Sequence, residues 1–322
     1  MRLSFAIAAA LALLGCRDQT PAKAAPTPAP LPFSPAAPQR SDIACEAALE
    51  APGSREKLRP PQGQIRIGAL AGLKEADEEN VAQLRRLVAE LKRRGAEVLV
   101  ADGDLGDNPD EQKTLLGTLT ESGLPVIAAA GNREVRSELD AAEAELRKKG
   151  ANIVDLSHTR VVDLGDAVLV GLPGAFERRQ LHSEGACIYV QKDIDALAAA
   201  LERMSAGPPA VLVAAVPPRG QDAKALDVSE GQNLGDPRLH ALFKRAPFGI
   251  FGQVWESGGR AIDGKGAPVK PDAESDQLYL NPGAADRTVW PMSDGTIAAG
   301  HAALLTIRGR RAFWEPVRLE EK

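Results

Sequence analysis

Short apolar runs alternate with amphipathic segments from Gln64 onward, and this alternation predicts strands and helices in turn. Strands are predicted over 64–72, 97–104 and 125–132, and helices over 109–119 and 136–149. Another helix is predicted before residue 95, with one apolar face made of Val81, Leu84, Leu87, Val88 and Leu91. This β-α-β-α-β order, with short apolar strands, predicts a parallel sheet covered by helices.

The second half of the chain has a different pattern. Residues 159–174 predict a hairpin, and helices at 194–204 and 236–246 are predicted beside buried strands at 210–216 and 248–253. Short, mostly hairpin-like strands follow around residues 260–264, 277–283, 301–309 and 311–319. Two apolar sheets with helices outside them fit this pattern better than one doubly wound sheet does. No boundary divides residues 64–322 into separate domains.

The first 15 residues have the features of a signal peptide. Arg2 precedes an apolar run from Phe5 to Leu14, which is too short to span a bilayer. The following Leu-Leu-Gly-Cys at 13–16 resembles the lipobox of bacterial lipoproteins, which implies lipidation of Cys16, a membrane anchor and a place in the bacterial cell envelope. Arg17 favours the outer membrane over the inner one by the same resemblance. An ordinary secretory signal containing a cysteine is the alternative.

Residues 16–63 are predicted to form a tether. Their Pro/Ala-rich composition suits a semi-extended segment between the membrane and the folded part. Cys45 lies within this stretch. An oxidising periplasm would allow Cys45 and Cys187 to form a disulfide, worth on the order of 5 kcal/mol in the chain-entropy model. Two separate thiols are the alternative.

The amino-acid composition excludes some classes of protein and some kinds of metal site. With 44% hydrophobic and 26% charged residues among 322, disorder of the whole chain is excluded. The formal net charge of -5 lacks the basic excess of a sequence-independent nucleic-acid binder, so no nucleic-acid partner is expected. The chain has only four histidines and three cysteines, so any metal site must be poor in imidazole and thiolate.

Two loops at strand ends carry the candidate chemistry, because ligands of α/β sheets gather at the carboxyl ends of strands. One loop contains Gly103, Asp104 and Asp107, and the other reads Gly-Asn-Arg-Glu over residues 131–134. Carboxylate and amide oxygens suit a hard divalent cation. Asp and Gly are also the commonest turn formers, so each loop alone is weak evidence for a metal site.

The order and spacing of these motifs resemble the calcineurin-like metallophosphoesterase family over most of residues 64–318. Its pattern is DxH, GDxxD, GNH[DE], a later strand with a His, and GHxH. These residues hold two metal ions, commonly iron, manganese or zinc, that activate a water against a phosphate ester. The Asn-Pro-Gly at 281–283 is similar to a turn of that family. The resemblance implies an α/β fold: a four-layer α-β-β-α sandwich with two mixed sheets flanked by helices.

The chain keeps only part of the family pattern. Asp104 matches the carboxylate that bridges the two metals, Asn132 matches the amide ligand, and Asp107 matches the second Asp of GDxxD, behind the ligands. The remaining ligand positions hold other residues: Gly72 and Lys74 in DxH, Arg133 at the proposed catalytic His, Ala215 at a ligand His, and Gln253 and Trp255 in GHxH, where only Gly252 is kept. One carboxylate and one amide cannot offset the repulsion between two divalent ions.

The four histidines do not repair this deficit. His158, His182, His240 and His301 fall at none of the family's ligand positions, and we expect them to be surface or capping residues. The cations Lys74 and Arg133 leave two alternatives open. They pair with Asp104 and Asp107 in a closed structural network, or they form an open pocket for a phosphate group or an acidic partner segment.

The sequence therefore predicts a lipid-anchored envelope protein whose dinuclear metal site is largely lost, with a non-catalytic binding or interaction role and no cofactor. The runner-up is an active phosphoester hydrolase with a reduced or atypical site, which would need a divalent metal such as manganese, iron or zinc. A purely structural lipoprotein without a ligand is the third possibility. Sequence alone leaves open whether the chain is an enzyme.

Overall fold

The computed structural model describes residues 55–319. The predicted signal peptide, the lipidation site at Cys16, most of the predicted tether and Cys45 therefore lie outside the described residues. No helix within 55–319 combines the length and apolar character needed to cross a bilayer. The helices are α1 (Glu78–Arg93), α2 (Pro109–Thr120), α3 (Arg136–Lys148) and α4 (Gln191–Arg203).

The strands are β1 (Arg55–Lys57), β2 (Ile65–Leu70), β3 (Val98–Asp102), β4 (Val126–Ala129), β5 (Ile153–Asp155), β6 (Val161–Asp163), β7 (Val168–Gly171), β8 (Ala210–Ala214), β9 (Val228–Ser229), β10 (Gln232–Asn233), β11 (Phe248–Phe251), β12 (Arg260–Ile262), β13 (Leu278–Asn281), β14 (Trp290–Pro291), β15 (Ile297–Ala298), β16 (His301–Arg308) and β17 (Arg311–Arg318). They include all those predicted from the sequence, and the short β1, β5, β9, β10, β14 and β15 are additional.

Two mixed sheets contain most of these strands. A six-stranded sheet has the order β17-β16-β2-β3-β4-β5, and β2 to β5 run parallel. A seven-stranded sheet has the order β1-β6-β7-β8-β11-β13-β12, with β7, β8, β11 and β13 parallel. The four α-helices lie in the crossovers that join β2 to β3, β3 to β4, β4 to β5 and β7 to β8, and β16 and β17 close as the hairpin expected from the sequence.

The core shows how the layers stack. Side chains that alternate along each strand, such as Val100 of β3 and Val213 of β8, meet in the core between the sheets. The opposite face of the six-stranded sheet packs against α1, α2 and α3, and the opposite face of the seven-stranded sheet packs against α4. The predicted four-layer α-β-β-α sandwich is confirmed.

Two boundaries differ from the sequence expectations. β1 and the buried Leu58 belong to the folded part, so the seven-stranded sheet begins upstream of the predicted start at Gln64. The predicted helix over 236–246 is wrong in type, since only a short 3-10 helix forms at Pro237–Leu242. Asp236 caps this segment through the Arg238 N–H, and Pro237 fixes its start.

Candidate functional site

The predicted site residues lie on loops that the backbone ties together at the carboxyl ends of the central strands. The Lys74 N–H donates to the carbonyl of Asp104 at 2.8 Å, which joins the loop after β2 to the loop after β3. The Asp286 N–H donates to the carbonyl of Gly72 at 3.1 Å and so attaches the loop after β13. Parallel neighbours end at one edge of a sheet, so motifs distant in sequence meet there.

Asp104 lies at the centre of this region. Its side chain is 1% exposed, and its backbone has a positive φ of 54°. The Trp255 indole N–H donates to Oδ2 at 3.1 Å, and Nε of Arg133 lies 3.3 Å from Oδ1. Burial raises the pKa of Asp104 to about 6, although Arg133 and Lys74 favour the ionised carboxylate. The contacts of this carboxylate are therefore made within the protein.

Arg133 bridges two carboxylates. Its Nη1 donates to Asp107 at 2.5 Å while its Nε faces Asp104. The Arg133 side chain is 18% exposed and that of Asp107 is 46% exposed, so the Asp107 contact lies on the solvent side. His182, half-exposed, places Nε2 at 3.8 Å from Asp107. Arg133 thus pairs with both Asp104 and Asp107, as the closed-network alternative expected for this residue.

Lys74 is buried between two tryptophans. Its Nζ lies 3.4 Å from the ring centroid of Trp255 and 3.6 Å from that of Trp290. Its ion-pair partner is Asp286, at 3.5 Å, rather than Asp104 or Asp107 as the closed-network alternative expected. Burial lowers the pKa of Lys74 below its ordinary value, and Asp286 and Asp104 oppose that shift. The side chain is 9% exposed.

Trp255 is held in place by the turn that resembles the family's Asn-Pro-Gly. The Asn281 side-chain amide donates to the carbonyls of Val254 at 2.8 Å and Leu226 at 3.1 Å, which fixes the loop carrying Trp255. The indole approaches Gly72 so closely that a Cβ added there would lie 3.0 Å from Nε1. The indole thus takes up the space that a larger side chain at position 72 would need.

The remaining matched positions are also occupied by contacts within the chain. The Asn132 amide donates to the carbonyl of Gln180 at 2.7 Å. The methyl group of Ala215 packs against Gly103 and Gly131, and a Cβ on either glycine would lie 3.1 or 3.4 Å from it. A histidine at 215 would need this space. Ala215 therefore brings the two glycine loops into close packing.

Two buried acids, Glu134 and Asp102, lie beside these loops. Glu134 accepts hydrogen bonds from the backbone N–H of Leu105 at 2.5 Å and of Gly131 at 2.6 Å, so it joins both predicted motifs. Burial raises the pKa of Glu134 to about 8, with nearby Asp104 adding to the shift. Asp102 is fully buried, and burial raises its pKa well above its ordinary value. Burial therefore favours the protonated form of both carboxyls more than water does.

The donor set does not fit a dinuclear metal centre. Among the described residues, the family positions offer one carboxylate, Asp104, and one amide, Asn132. Asp104 already faces a guanidinium and an indole N–H, and an ammonium group lies in the same cluster. Two divalent ions would add four positive charges beside Lys74 and Arg133, whereas the nearby carboxylates Asp104, Asp107 and Asp286 already pair with these two cations.

Sequence reasoning found some of these residues and missed others. It placed Lys74, Arg133, Asp104, Asp107 and Asn132 in one region, and the structure brings these residues together. It missed the partners Trp290, which begins β14, and Asp286, in the loop before it, because neither matches a motif. The only sequence motif near these two residues is the Asn-Pro-Gly turn at 281–283, which indicates an ordered turn but not their side-chain contacts.

The environments of His301 and Cys187 bear on two further sequence predictions. His301 is 4% exposed, so the expectation of a surface or capping residue is wrong at this position. The histidine begins β16 with its ring toward Gly283 and Gly259, and burial lowers its pKa to about 4. Cys187 is buried and disulfide-bonded. Its partner lies outside the described residues, so pairing with Cys45 stays a prediction.

Comparison with known proteins bears on the fold. No protein-family model matches the chain, and no curated protein gives a significant match. TT1561 of Thermus thermophilus is similar in structure, with 15% identity and a TM-score of 0.53 over 79% of this chain and 99% of that one. A dimetal phosphatase from Danio rerio has 13% identity and a TM-score of 0.51 over 80% and 99%.

A third similar structure is described as an anchor. GAP50, described as the anchor in the inner membrane complex of Plasmodium, shares 11% identity at a TM-score of 0.52, over 80% of this chain and 85% of that one. At such identities the likeness concerns the fold. The chain therefore has the metallo-dependent phosphatase-like fold, as the sequence resemblance implied.

Proposed function

We propose that this chain is a lipid-anchored, non-catalytic protein of the bacterial cell envelope that acts by binding on a metallophosphoesterase-like scaffold. One observation carries the proposal: Lys74, Arg133 and Trp255 surround the buried Asp104 with side-chain donors and positive charge. Covalently attached cations thus stand where the family's residues would hold metal ions. A carboxylate neutralised in this way has no need of a metal for its stability.

The fold is compatible with such a role. GAP50, which has a similar structure, is described as an anchor. Fold alone does not determine activity, and the residues at the site decide it. The residues here supply neither a metal-bridging set nor the histidine expected to protonate a leaving group, since Arg133 replaces it.

Hydrolysis assays on the full chain test the absence of catalysis. We expect no turnover of bis(4-nitrophenyl) phosphate above background after addition of manganese, iron or zinc, and the same rate for wild type and Asp104→Asn. The variant retains the shape of the side chain and changes its charge. Turnover that needs metal and is abolished in Asp104→Asn would establish the active hydrolase instead.

The ion pair between Arg133 and the more exposed Asp107 suggests where an anion would bind. Asp107 is more exposed than Arg133, so a phosphate-bearing or acidic ligand would compete with Asp107 for the guanidinium. Titration with inorganic phosphate tests this step: we expect tighter binding to Asp107→Asn than to wild type, and weaker binding to Arg133→Lys, which loses the planar fork. Equal absence of binding in all three proteins would support the closed network and remove the anion pocket.

The membrane anchor has its own test. We expect wild type in the membrane fraction and labelled by a radioactive fatty acid, and Cys16→Ser released without label, because several acyl chains make a firm anchor. Fractionation of inner and outer membranes checks the position that Arg17 favours. An unlabelled wild type released from the membrane would support an ordinary secretory signal.

A further inference from the structure

A cluster of possible metal ligands lies next to the site described above, on a neighbouring strand of the six-stranded sheet. Asp155 ends β5, His158 follows it in the next loop, and Asp140 lies on α3. One ligand atom from each of these residues lies within 4.8 Å of the others. None of them belongs to the family positions identified from the sequence.

Asp155 is the most buried member and has an unsatisfied oxygen. Its side chain is 0% exposed, and its Oδ1 accepts the Ser157 N–H at 2.7 Å. Its Oδ2 has no hydrogen-bond partner and faces Nε2 of His158 at 3.7 Å and Nη2 of Arg136 at 3.8 Å. A buried carboxylate oxygen directed into a cluster without a hydrogen bond is costly unless a cation compensates it.

His158 faces both carboxylates through Nε2. This nitrogen lies 2.8 Å from Oδ1 of Asp140 and 3.7 Å from Oδ2 of Asp155. Nη2 of Arg136 lies 2.6 Å from Nε2 and 2.8 Å from Nδ1 of the same ring. With its proton on Nε2, the imidazole donates to Asp140 and accepts from Arg136 through Nδ1, but Oδ2 of Asp155 still has no hydrogen bond. A metal ion bound to Nε2 would contact the imidazole and both carboxylates at once.

We propose that Asp140, Asp155 and His158 form a binding site for a divalent transition metal, with zinc as the best fit. One imidazole nitrogen and two carboxylate oxygens suit zinc, and water would complete a four-coordinate shell. Arg136 is the internal competitor, since it supplies the positive charge between Asp140 and Asp155. On metal binding its side chain moves away, because two carboxylates balance a dication without it.

Other charged residues surround the proposed zinc site without belonging to it. Glu143, one turn beyond Asp140 on α3, is fully buried and paired with Arg147. Arg160 is 4% exposed and interacts electrostatically with Asp155. These arginines are separate from the ligand set. The metal would connect α3 to the end of β5, so it should stabilise the fold by mass action.

Zinc titration of the full chain, followed by calorimetry and by the melting temperature, tests the site. We expect one equivalent to bind and to raise the melting temperature. Asp155→Asn and His158→Gln should each weaken binding by about tenfold or more, whereas Arg136→Gln should tighten it by about tenfold. Asp155→Asn retains Oδ1 for the Ser157 N–H, so we expect it to fold.

Two controls separate the possible outcomes. Asp110→Asn removes a highly exposed carboxylate on α2 and should leave zinc affinity unchanged. Asp104→Asn should also leave zinc affinity unchanged, because the proposed zinc site does not include Asp104. A loss of zinc binding in Asp104→Asn would place the metal at Asp104 and would argue against the proposed function. Absence of zinc binding even in Arg136→Gln, or binding insensitive to Asp155→Asn, would overturn the metal site.

Discussion

Lys74 shows how a single side chain can take over an electrostatic role in this fold. Its ammonium group lies against two indole rings and beside Asp286, while the backbone at Lys74 has a φ of 56°. Each desolvated cation-aromatic contact is worth up to about 2 kcal/mol, which offsets part of the desolvation cost of the charge. The charge is therefore expected to matter more than the volume of the side chain.

Lys74→Met tests this expectation, since it retains the length and removes the charge. We expect a loss of about 3 kcal/mol in the free energy of unfolding, because Asp286 becomes a buried carboxylate without its cation. Urea denaturation of Lys74→Met, Asp286→Asn and the double variant completes a cycle. The double variant should lose less than the sum of the two singles. Strict additivity would show that the pair is not coupled.

The helix after β3 illustrates how elements position the site. Asn108 caps α2 by accepting the N–H groups of Asp110 and Glu111, both at 3.1 Å, and Pro109 occupies the first turn. This cap fixes the end of the loop that contains Asp104 and Asp107. By contrast, α3 has no side-chain cap at Val135.

Asn108→Ala should therefore cost about 1 kcal/mol in the free energy of unfolding, because the two N–H groups lose their acceptor. Asn108→Asp retains the acceptor and places a negative charge at the helix start, so it should be close to wild type. Chemical denaturation of the three proteins measures both effects. An equal loss in both variants would mean that the amide has another role.

The elements were predictable because each one has a local cause. Apolar periodicity, Pro109 at the start of α2 and Gly95 after α1 mark element positions, and the structure agrees with them. The partners at the site were not predictable in this way. Trp255 and Asp104 are 151 residues apart, and only the packing of the loops brings them together. A comparison of motifs shows which family ligand positions hold other residues. It does not show which distant side chains contact those positions, because such contacts follow no fixed spacing in the sequence.

At the scale of the whole molecule, two buried groups make stability depend on pH in opposite directions. The pKa of His301 is lowered to about 4 by burial, so its contribution is lost as pH falls from about 6.5 toward 4. The pKa of Glu134 is raised to about 8 by burial, so the folded state holds a proton that the unfolded state releases above about 4.5. Its contribution is lost as pH rises through 8.

Above pH 6.5 only the Glu134 effect remains of these two, so we expect stability to fall between pH 6.5 and 8.5. Glu134→Gln should flatten this decline, although it also weakens one of the two backbone contacts. His301→Gln should leave the decline in place and reduce the loss below pH 6.5. Unfolding free energies across the pH range check the slopes. An unchanged slope above pH 6.5 in Glu134→Gln would assign the decline to other groups.

The position of the Trp255 indole limits which substitutions the candidate site can accept. With the ring beside Gly72 and its N–H on Asp104, an acid introduced at position 72 would meet the indole, and a histidine introduced at 215 would meet the packed glycine loops. Each substitution toward the family pattern at these two positions would therefore disturb the packing by itself. Their effects on stability would depend on the neighbouring residues, so a change of one position calls for changes at others.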